Sequence, residues 1–499
     1  MHTGYVQFST PQFRILSNKQ LEEMHLATLQ ILERTGVVFQ CQEAIEILGD
    51  AGADVSDTKR VKVPSYLVDQ ALRTAPRTIS LFSRDGKLAM VLDGHTGSHF
   101  GGFSGYSNIL DPYSGKQRKY YVDDIADTAR VVDALPNIEW YQTSSANQTV
   151  PGAIADKVEL LHSLVNTSKP VFSNVSDVAS LTEMINLCSV IAGGEKQLRE
   201  RPFFGESSEP VSPLVYGKDA IEKALLCAEK RIPHVVHPIG MAGVSTPATF
   251  AGCVAIANAE VLAELVVLQL KNPGTPVIFG GMPSIMDMKT TIVSYGAPEM
   301  SLMAGALAEL SHYYGLPFFG TAGSTDAARI GAQAAAEVTN QILISALQGS
   351  DLVHGAGQLY HCVALSPELM VLVNEIIGMV RVLMRGIEIN DETLPLGLIE
   401  RMGPGSNYLG ESHTRKHFRE FWVPDLFDRS FRRDSAKDCE ELLKKKTIDL
   451  MQTHKPKPLP DDLIKELNAI EKTWFDRVGL KHEYPQRPDR RQLKKRKAR

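Results

Sequence analysis

Short apolar runs alternate with helix-length segments through the middle of this chain, and each run ends in glycine, hydroxyl or amide residues. That alternation marks an α/β fold in which parallel strands are joined by right-handed helical crossovers. Eight such units close into a TIM (β/α)8 barrel, whose site residues sit on the loops after the strands. The clearest unit is Leu316 to Glu337, LPFFGTAGSTDAARIGAQAAAE, where an apolar strand breaks into hydrogen-bonding residues before a small-residue helix. At 499 residues and 43% hydrophobic, the chain has apolar surface for a barrel, an N-terminal helix-plus-hairpin lobe and a C-terminal helical extension.

The lobe, with an aromatic–glycine loop at its end, takes residues 1–120. Leu21, Met24, Leu29, Ile31 and Leu32 form the stripe of a first helix that Gly36 closes, and a second helix runs from Gln42 to Leu48. SYLVDQALRTA follows Pro64 as a third helix and stops at Pro76. ISLFSRDG and LAMVLDG alternate as strands around Arg84-Asp85-Gly86, a hairpin turn. Residues 97–120 then set Phe100, Phe103 and Tyr106 among Gly97, Gly101, Gly102 and Gly105, so aromatic rings ride on a backbone free to turn closely. The spacing lacks the helix-opening G-x-G-x-x-G of a dinucleotide site.

The barrel takes residues 121–390. Strands are expected near Ile138–Ser144, Pro170–Asn174, Pro202–Glu206, His234–Pro238, Pro276–Gly280, Leu316–Gly320 and Leu352–His354, with the eighth near Glu368–Val373. Helices such as Ala155–Asn166, Val254–Leu270, Met300–Tyr314 and Glu337–Leu347 lie between them. Val254–Leu270 has little polar face, a pattern of core burial or of contact with another subunit in a homo-oligomer. Residues 391–499 read as an extension wrapping the barrel. It ends in RPDRRQLKKRKAR from Arg487, eight Lys/Arg against one Asp, a solvated tail by composition.

A formal net charge of -5 is small for this size and argues against bulk nucleic-acid or membrane binding. No uninterrupted apolar run approaches the roughly 18 residues of a bilayer span, and MHTGYVQFSTPQF lacks the basic start and apolar core of a signal peptide, so a cytoplasmic protein is expected. The cysteines Cys41, Cys188, Cys227, Cys253, Cys362 and Cys439 include no C-x-x-C pair, which argues against disulfides, structural zinc and iron–sulfur clusters.

The strand ends offer Trp140, Tyr141, Gln142, Asn174, Glu206, His237, Met282, Thr321, Ser324, Asp326 and His354. Aromatic, amide and hydroxyl groups of this kind suit a small polar or cationic ligand better than a phosphate. Neither a P-loop nor H-E-x-x-H occurs. His234 and His237, three apart on one strand, point to opposite faces and do not form a metal pair. Glu206 and Asp326 are either two carboxylates across the mouth or loop anchors. Arg329, placed one turn into the helix after the glycine loop, either clamps a substrate carboxylate or pairs with Asp326.

QILERTGVVF, GDAGADVS, VPSYLVDQALRTAP, LFSRDG, GTAGSTD, SPELMVLVNEIIG and SHTRKHFREFWVPDLFDRS occur in that order across nearly the whole length. Together they resemble the trimethylamine methyltransferase superfamily, corrinoid-dependent methyltransferases built on a TIM barrel. The archetype of that family reads an amber codon as pyrrolysine late in the barrel. Here every residue is ordinary, with Ala327–Gln333 as the corresponding segment. Asn374 also stands where the family's D-E-I-x-G run has an aspartate.

Members without pyrrolysine resemble glycine betaine and other quaternary-amine methyltransferases, so the resemblance implies methyl transfer from a quaternary amine, glycine betaine first, to the Co(I) of a cognate corrinoid protein. The product is a tertiary amine such as dimethylglycine, in methanogenic or acetogenic one-carbon metabolism. A neutral amine leaves, so no acid–base residue is required. The chain needs an aromatic box, a carboxylate clamp and an open mouth, with Phe103, Tyr106, Trp140 and Tyr141 for the box, Arg329 and His354 for the clamp, and Gln142 and Glu206 as further contacts. The corrinoid comes on the partner, and this chain holds no metal of its own. Other betaines (proline betaine, carnitine, γ-butyrobetaine), a lyase or hydrolase using Glu206 or His354, and a non-catalytic quaternary-amine binder are the alternatives.

Overall fold

The computed structural model describes residues 11–144, 147–429 and 438–487. Eight parallel strands close a barrel: β1 (His99–Ser104), β2 (Trp140–Thr143), β3 (Val171–Ser173), β4 (Phe204–Ser208), β5 (His234–Val236), β6 (Val277–Gly280), β7 (Phe318–Thr321) and β8 (Leu352–Ala356). Sequential neighbours pair all the way round, and β8 returns to β1 with Leu352 opposite His99. Helices fill the crossovers, so the α/β barrel architecture holds.

The first strand lies in the aromatic–glycine loop, ahead of the expected barrel boundary at 121, and Glu368–Val373 belongs instead to the helix Pro367–Met384. Packing explains the glycines of β1. A Cβ on Gly101 would stand 2.3 Å from the Trp140 ring, and one on Gly102 would stand 2.5 Å from Val132. Propensity reads those glycines as loop; the barrel wall needs them because bulky neighbours occupy both faces. The apolar run 368–373 is helical because its burial is nearly all-round, a pattern that periodicity alone does not separate from a core strand.

The N-terminal hairpin closes the floor. Ile79–Phe82 pairs antiparallel with Leu88–Leu92, and its Ile79, Leu81, Met90 and Leu92 pack with the barrel's lowest interior layer: Trp140, Phe172, Val235, Ile278, Phe319 and Leu352. Helices Asn18–Gln30 and Ser65–Thr74 cover Phe250–Lys271, which is long and apolar enough to cross a membrane but is 83% buried inside the protein. That helix is core, not a subunit contact surface.

The extension divides in two. Helices Cys439–Thr453 and Asp461–Arg477 lay Leu443, Met451, Leu467, Trp474 and Phe475 onto the barrel helices. Residues 381–425 bury no side chain and do not wrap the barrel. Arg487, the first residue of the basic tail, pairs with Asp124 at 2.7 Å and Asp127 at 2.6 Å. The remainder of the tail lies outside the described residues.

Candidate active site

Alternation along the strands decides which side chains reach the mouth. Above the apolar floor the interior carries Phe103, Gln142, Asn174, Ser207, His237, Thr321 and His354. Gln142 Nε2 donates to Asn174 Oδ1 at 3.1 Å, and Ser207 Oγ donates to the same oxygen at 2.9 Å. Thr321 Oγ1 and His354 Nε2 lie 2.6 Å apart. His354 stacks on Phe319 with centroids 4.7 Å apart, and His237 meets it edge-on at 4.9 Å. Both imidazoles are neutral: burial drives the His237 pKa down to about 3 and His354 well below its usual value, with His237 adding to the latter.

The aromatic wall is Phe103 at the end of β1 and Tyr106 three residues on, stacked at 5.1 Å and 21°. Phe103 also tilts against His354 at 6.0 Å. The hydroxyls of Tyr106 and Tyr295 lie against the Cys362 thiol, which burial pushes up to about 12. Desolvation likewise raises both phenols. Cys362 is held there by an unusual backbone: Tyr360, His361 and Cys362 are consecutive non-glycine residues at φ 55°, 49° and 60°. Each left-handed residue of this kind costs roughly 1–2 kcal/mol, so surrounding contacts must fix the turn. His361 Nδ1 supplies one, 3.0 Å from Asp326 Oδ1.

One carboxylate opens into this space. Glu209 stands just past β4, keeps contact with solvent, and is raised by desolvation, with Lys223 lowering it and Glu206 raising it further. Glu209 also faces Tyr295. The mouth therefore combines neutral imidazoles, amides, aromatic faces and one acidic group, an environment that attracts a small cation without donating a proton to it.

The chain matches the family Trimethylamine methyltransferase (MTTB) over residues 2–473. It belongs to that family. A trimethylamine methyltransferase MttB of Desulfitobacterium hafniense (strain DSM 10664 / DCB-2) is 34% identical, covering 93% of this chain and 94% of that protein. A glycine betaine methyltransferase of Desulfitobacterium hafniense (strain Y51) is 30% identical over 84% of this chain and 88% of its own length. Among solved structures, a hydroxylamine complex of MtmB shares the fold with a TM-score of 0.50 at 10% identity, covering 94% of this chain and 89% of that one.

Within this member of the trimethylamine methyltransferase family, the structure brings Phe103, Tyr106, Gln142 and His354 together and leaves three expected contacts elsewhere. Trp140 is interior but lies at the floor, fully buried against Phe172 and Phe319 at 5.6 and 5.8 Å. Tyr141, its neighbour in the pleat, turns outward beside Ser104 and Tyr120. Glu206 also faces outward, into a charged cluster between sheet and helices: Lys223 Nζ lies 2.9 Å from it, His234 Nδ1 2.8 Å, and His234 Nε2 reaches Glu264 at 2.8 Å. Against the desolvation of burial, Lys223 and His234 hold Glu206 below its usual value. Desolvation opposes charge on His234 too, yet Cys227, Glu206 and Glu264 raise it well above normal.

Arg329 sits three residues before the helix Ala332–Leu347, on the loop after β7 rather than one turn into the helix. It is exposed and pairs with none of the described residues. Asp326 is not its partner. Its carboxylate accepts the Ser294 hydroxyl and the N–H groups of Tyr295 at 2.8 Å and Gly296 at 3.1 Å, which makes it a loop anchor.

Sequence reading missed Glu209, Tyr295 and Cys362. The first has a simple cause: β4 runs to Ser208, two residues beyond its expected end, so the mouth carboxylate is Glu209 and not Glu206. Tyr295 and Cys362 carry no local signal, since both lie on long loops that only the fold brings together. Two groups of described residues have metal-ligand proximity, Glu206–Cys227–His234 and Glu392–His413–His417. The first already holds the Lys223 ammonium and an imidazolium, and the second is exposed and paired with Lys416 and Glu420.

Proposed function

We propose that this chain transfers a methyl group from a quaternary amine, glycine betaine first among them, to the cobalt of a corrinoid carried by a cognate partner protein, releasing a tertiary amine such as dimethylglycine. The observation that carries this reading is the Phe103/Tyr106 stack beside neutral His354 and its neighbour, neutral His237, with the Glu209 carboxylate facing Tyr295 at the same mouth. Aromatic faces and one acidic group attract a trimethylammonium head, and uncharged imidazoles do not repel it.

In the transfer, the carbon–cobalt bond forms as the carbon–nitrogen bond breaks, and its electron pair stays on nitrogen. The leaving amine is neutral, so no residue has to deliver a proton. Co(I), supplied by the partner's corrinoid, is the nucleophile. The chain's own task is orientation and exclusion of water. Phe103 and Tyr106 receive the cation, Gln142, Thr321 and His354 limit its rotation, and unpaired Arg329 on the loop after β7 meets the substrate carboxylate.

In this reading the partner docks on the mouth, whose loops carry exposed apolar side chains. Val211, Val244, Met288, Ile292, Tyr360 and Val363, each 41–69% exposed, stand on the loops after β4, β5, β6 and β8. Apolar side chains ringing an open site mark a protein-docking rim. The six free thiols suit a reducing compartment, so the same reading puts the chain in the cytoplasm.

The test is methyl transfer with purified protein, a cob(I)alamin or corrinoid-protein acceptor, and a panel of quaternary and tertiary amines, followed by the visible spectrum of the methylated corrinoid. Transfer from glycine betaine and not from trimethylamine is the expected outcome. Transfer from trimethylamine alone would overturn the substrate, and binding without transfer from any amine would overturn the reaction.

A further inference from the structure

Residues 381–425 bury no side chain, so polar contacts set the shape of this segment. It leaves the barrel at the floor, where the Arg381 guanidinium reaches Glu139 at 2.6 Å and Asn137 at 3.0 Å just ahead of β2. Within it the helix Ser412–His417 carries His413 and His417. Four residues apart on a helix, the two side chains leave from one face, and their rings lie side by side with centroids 4.4 Å apart.

An earlier loop brings a carboxylate to the pair. The Asn390 side chain accepts the N–H groups of Glu392 and Thr393, both at 2.9 Å, and this sets Glu392 against the helix. Nε2 of His417 lies 3.1 Å from Glu392 Oε1, and Nε2 of His413 lies 3.2 Å from the Glu392 main-chain oxygen. One donor atom from each of Glu392, His413 and His417 stands within 4.8 Å of the other two. The far nitrogen of His417, Nδ1, meets Glu420 Oε1 at 2.8 Å. A carboxylate in that position fixes the tautomer and ring plane of a metal-bound imidazole.

We propose that Glu392, His413 and His417 bind one divalent transition-metal ion of the zinc class, with Glu420 as a positioning residue for His417. Two imidazoles, one carboxylate and a fourth place for water form a donor set that zinc takes, whereas calcium and magnesium require oxygen ligands. Tetrahedral zinc about 2.1 Å from each donor sets the donors about 3.4 Å apart, a contraction these side chains can make because none of them is buried. Residues 386–423 carry six Asp/Glu against four Lys/Arg, a balance that favours a cation. Lys416 Nζ, 2.5 Å from Glu392 Oε1, competes for the same carboxylate, and the ion displaces it together with any proton on the ligating nitrogens. The ion fastens the loop at Glu392 to the helix. It stands apart from the methyl transfer, for which the chain needs no metal of its own.

Titration of the full chain with Co(II), whose visible spectrum reports coordination geometry, followed by displacement with Zn(II), tests this. The expected result is one ion per chain with four-coordinate bands and no sulfur-to-cobalt charge-transfer band. The double variant His413→Asn, His417→Asn loses that ion, with its fold checked by circular dichroism. Glu420→Gln keeps the three ligands and weakens binding by roughly 10- to 100-fold, while Lys416→Met tightens it. Zn(II) at about 100 times its dissociation constant slows hydrogen exchange of the amides between Glu392 and His417 by up to about 100-fold in the native chain and leaves the double variant unchanged. Co(II) bound equally well by the double variant overturns the proposal, as does a sulfur band, which would place the ion at a cysteine. Exchange between Glu392 and His417 that zinc leaves unaltered overturns it too.

Discussion

Replacing Phe103 with leucine separates a ring that receives a cation from a ring that merely fills space. Leucine keeps most of the volume and the barrel packing, so its stability cost stays below about 1.5 kcal/mol. What it removes is the π face stacked on Tyr106 at 5.1 Å and tilted over His354 at 6.0 Å. Phe103 is only 5% exposed, so a cation held there is largely desolvated, where such contacts are worth about 2 kcal/mol. That converts to a loss of roughly 10- to 30-fold in affinity for glycine betaine. Its neutral carbon isostere, 3,3-dimethylbutyrate, has the same shape and no positive charge. Titration calorimetry with both ligands reads the difference: Phe103→Leu weakens the betaine and leaves the isostere within about twofold, while Phe103→Tyr weakens neither. Equal losses for both ligands would show that Phe103 acts through shape, and no loss for either would remove it from the site.

Three further outcomes follow from the same geometry. Lys223→Met strands Glu206, which is fully buried, and lowers stability by about 3–5 kcal/mol in denaturant titration; a change under about 1 kcal/mol would mean that the cluster behind β4 and β5 does not depend on this ion pair. His237 titrates near 3 when folded and 6.5 when unfolded, so the stability from its neutral form is fully present above 6.5 and is lost as pH falls toward 3. Between pH 7 and pH 5 that loss is about 2 kcal/mol, and His237→Phe removes this share of the slope in urea midpoints. Asn374→Asp stays within about 1 kcal/mol of the parent, because its Oδ1 needs only to accept the Asn137 N–H at 2.9 Å, whereas Asn374→Ala loses about 1–2 kcal/mol.

The Asn374 case shows what the chain makes legible and what it does not. The departure from a family aspartate reads as a lost charge in the sequence, yet the structure uses only a carbonyl oxygen there, which both residues have. The barrel was readable because strand length, helix length and their alternation are local properties, and seven of the eight strands lie where alternation puts them. The eighth escaped because β1 is written in glycines, and those glycines answer to Trp140 and Val132, residues 30 to 40 positions away.

The site obeys the same division. Period-two alternation fixes which face a side chain takes, so a small error in where a strand ends moves a carboxylate from one environment to another. Glu206 and Glu209 carry the same functional group three residues apart, yet one is held ionised behind the sheet by Lys223 and His234, and the other stands at the mouth with its charge disfavoured by desolvation. Only the second can meet a ligand. The left-handed turn Tyr360–Cys362 goes further beyond local reading, because three consecutive non-glycine residues at positive φ are not signalled by their types, and the turn persists through contacts such as His361 with Asp326 from the loop after β7. Asp326 in turn anchors Tyr295. A single loop carboxylate thus sets both walls of the upper mouth, so a change at Asp326, which touches no ligand in this reading, would displace Tyr295 and Cys362 together and weaken substrate binding through them.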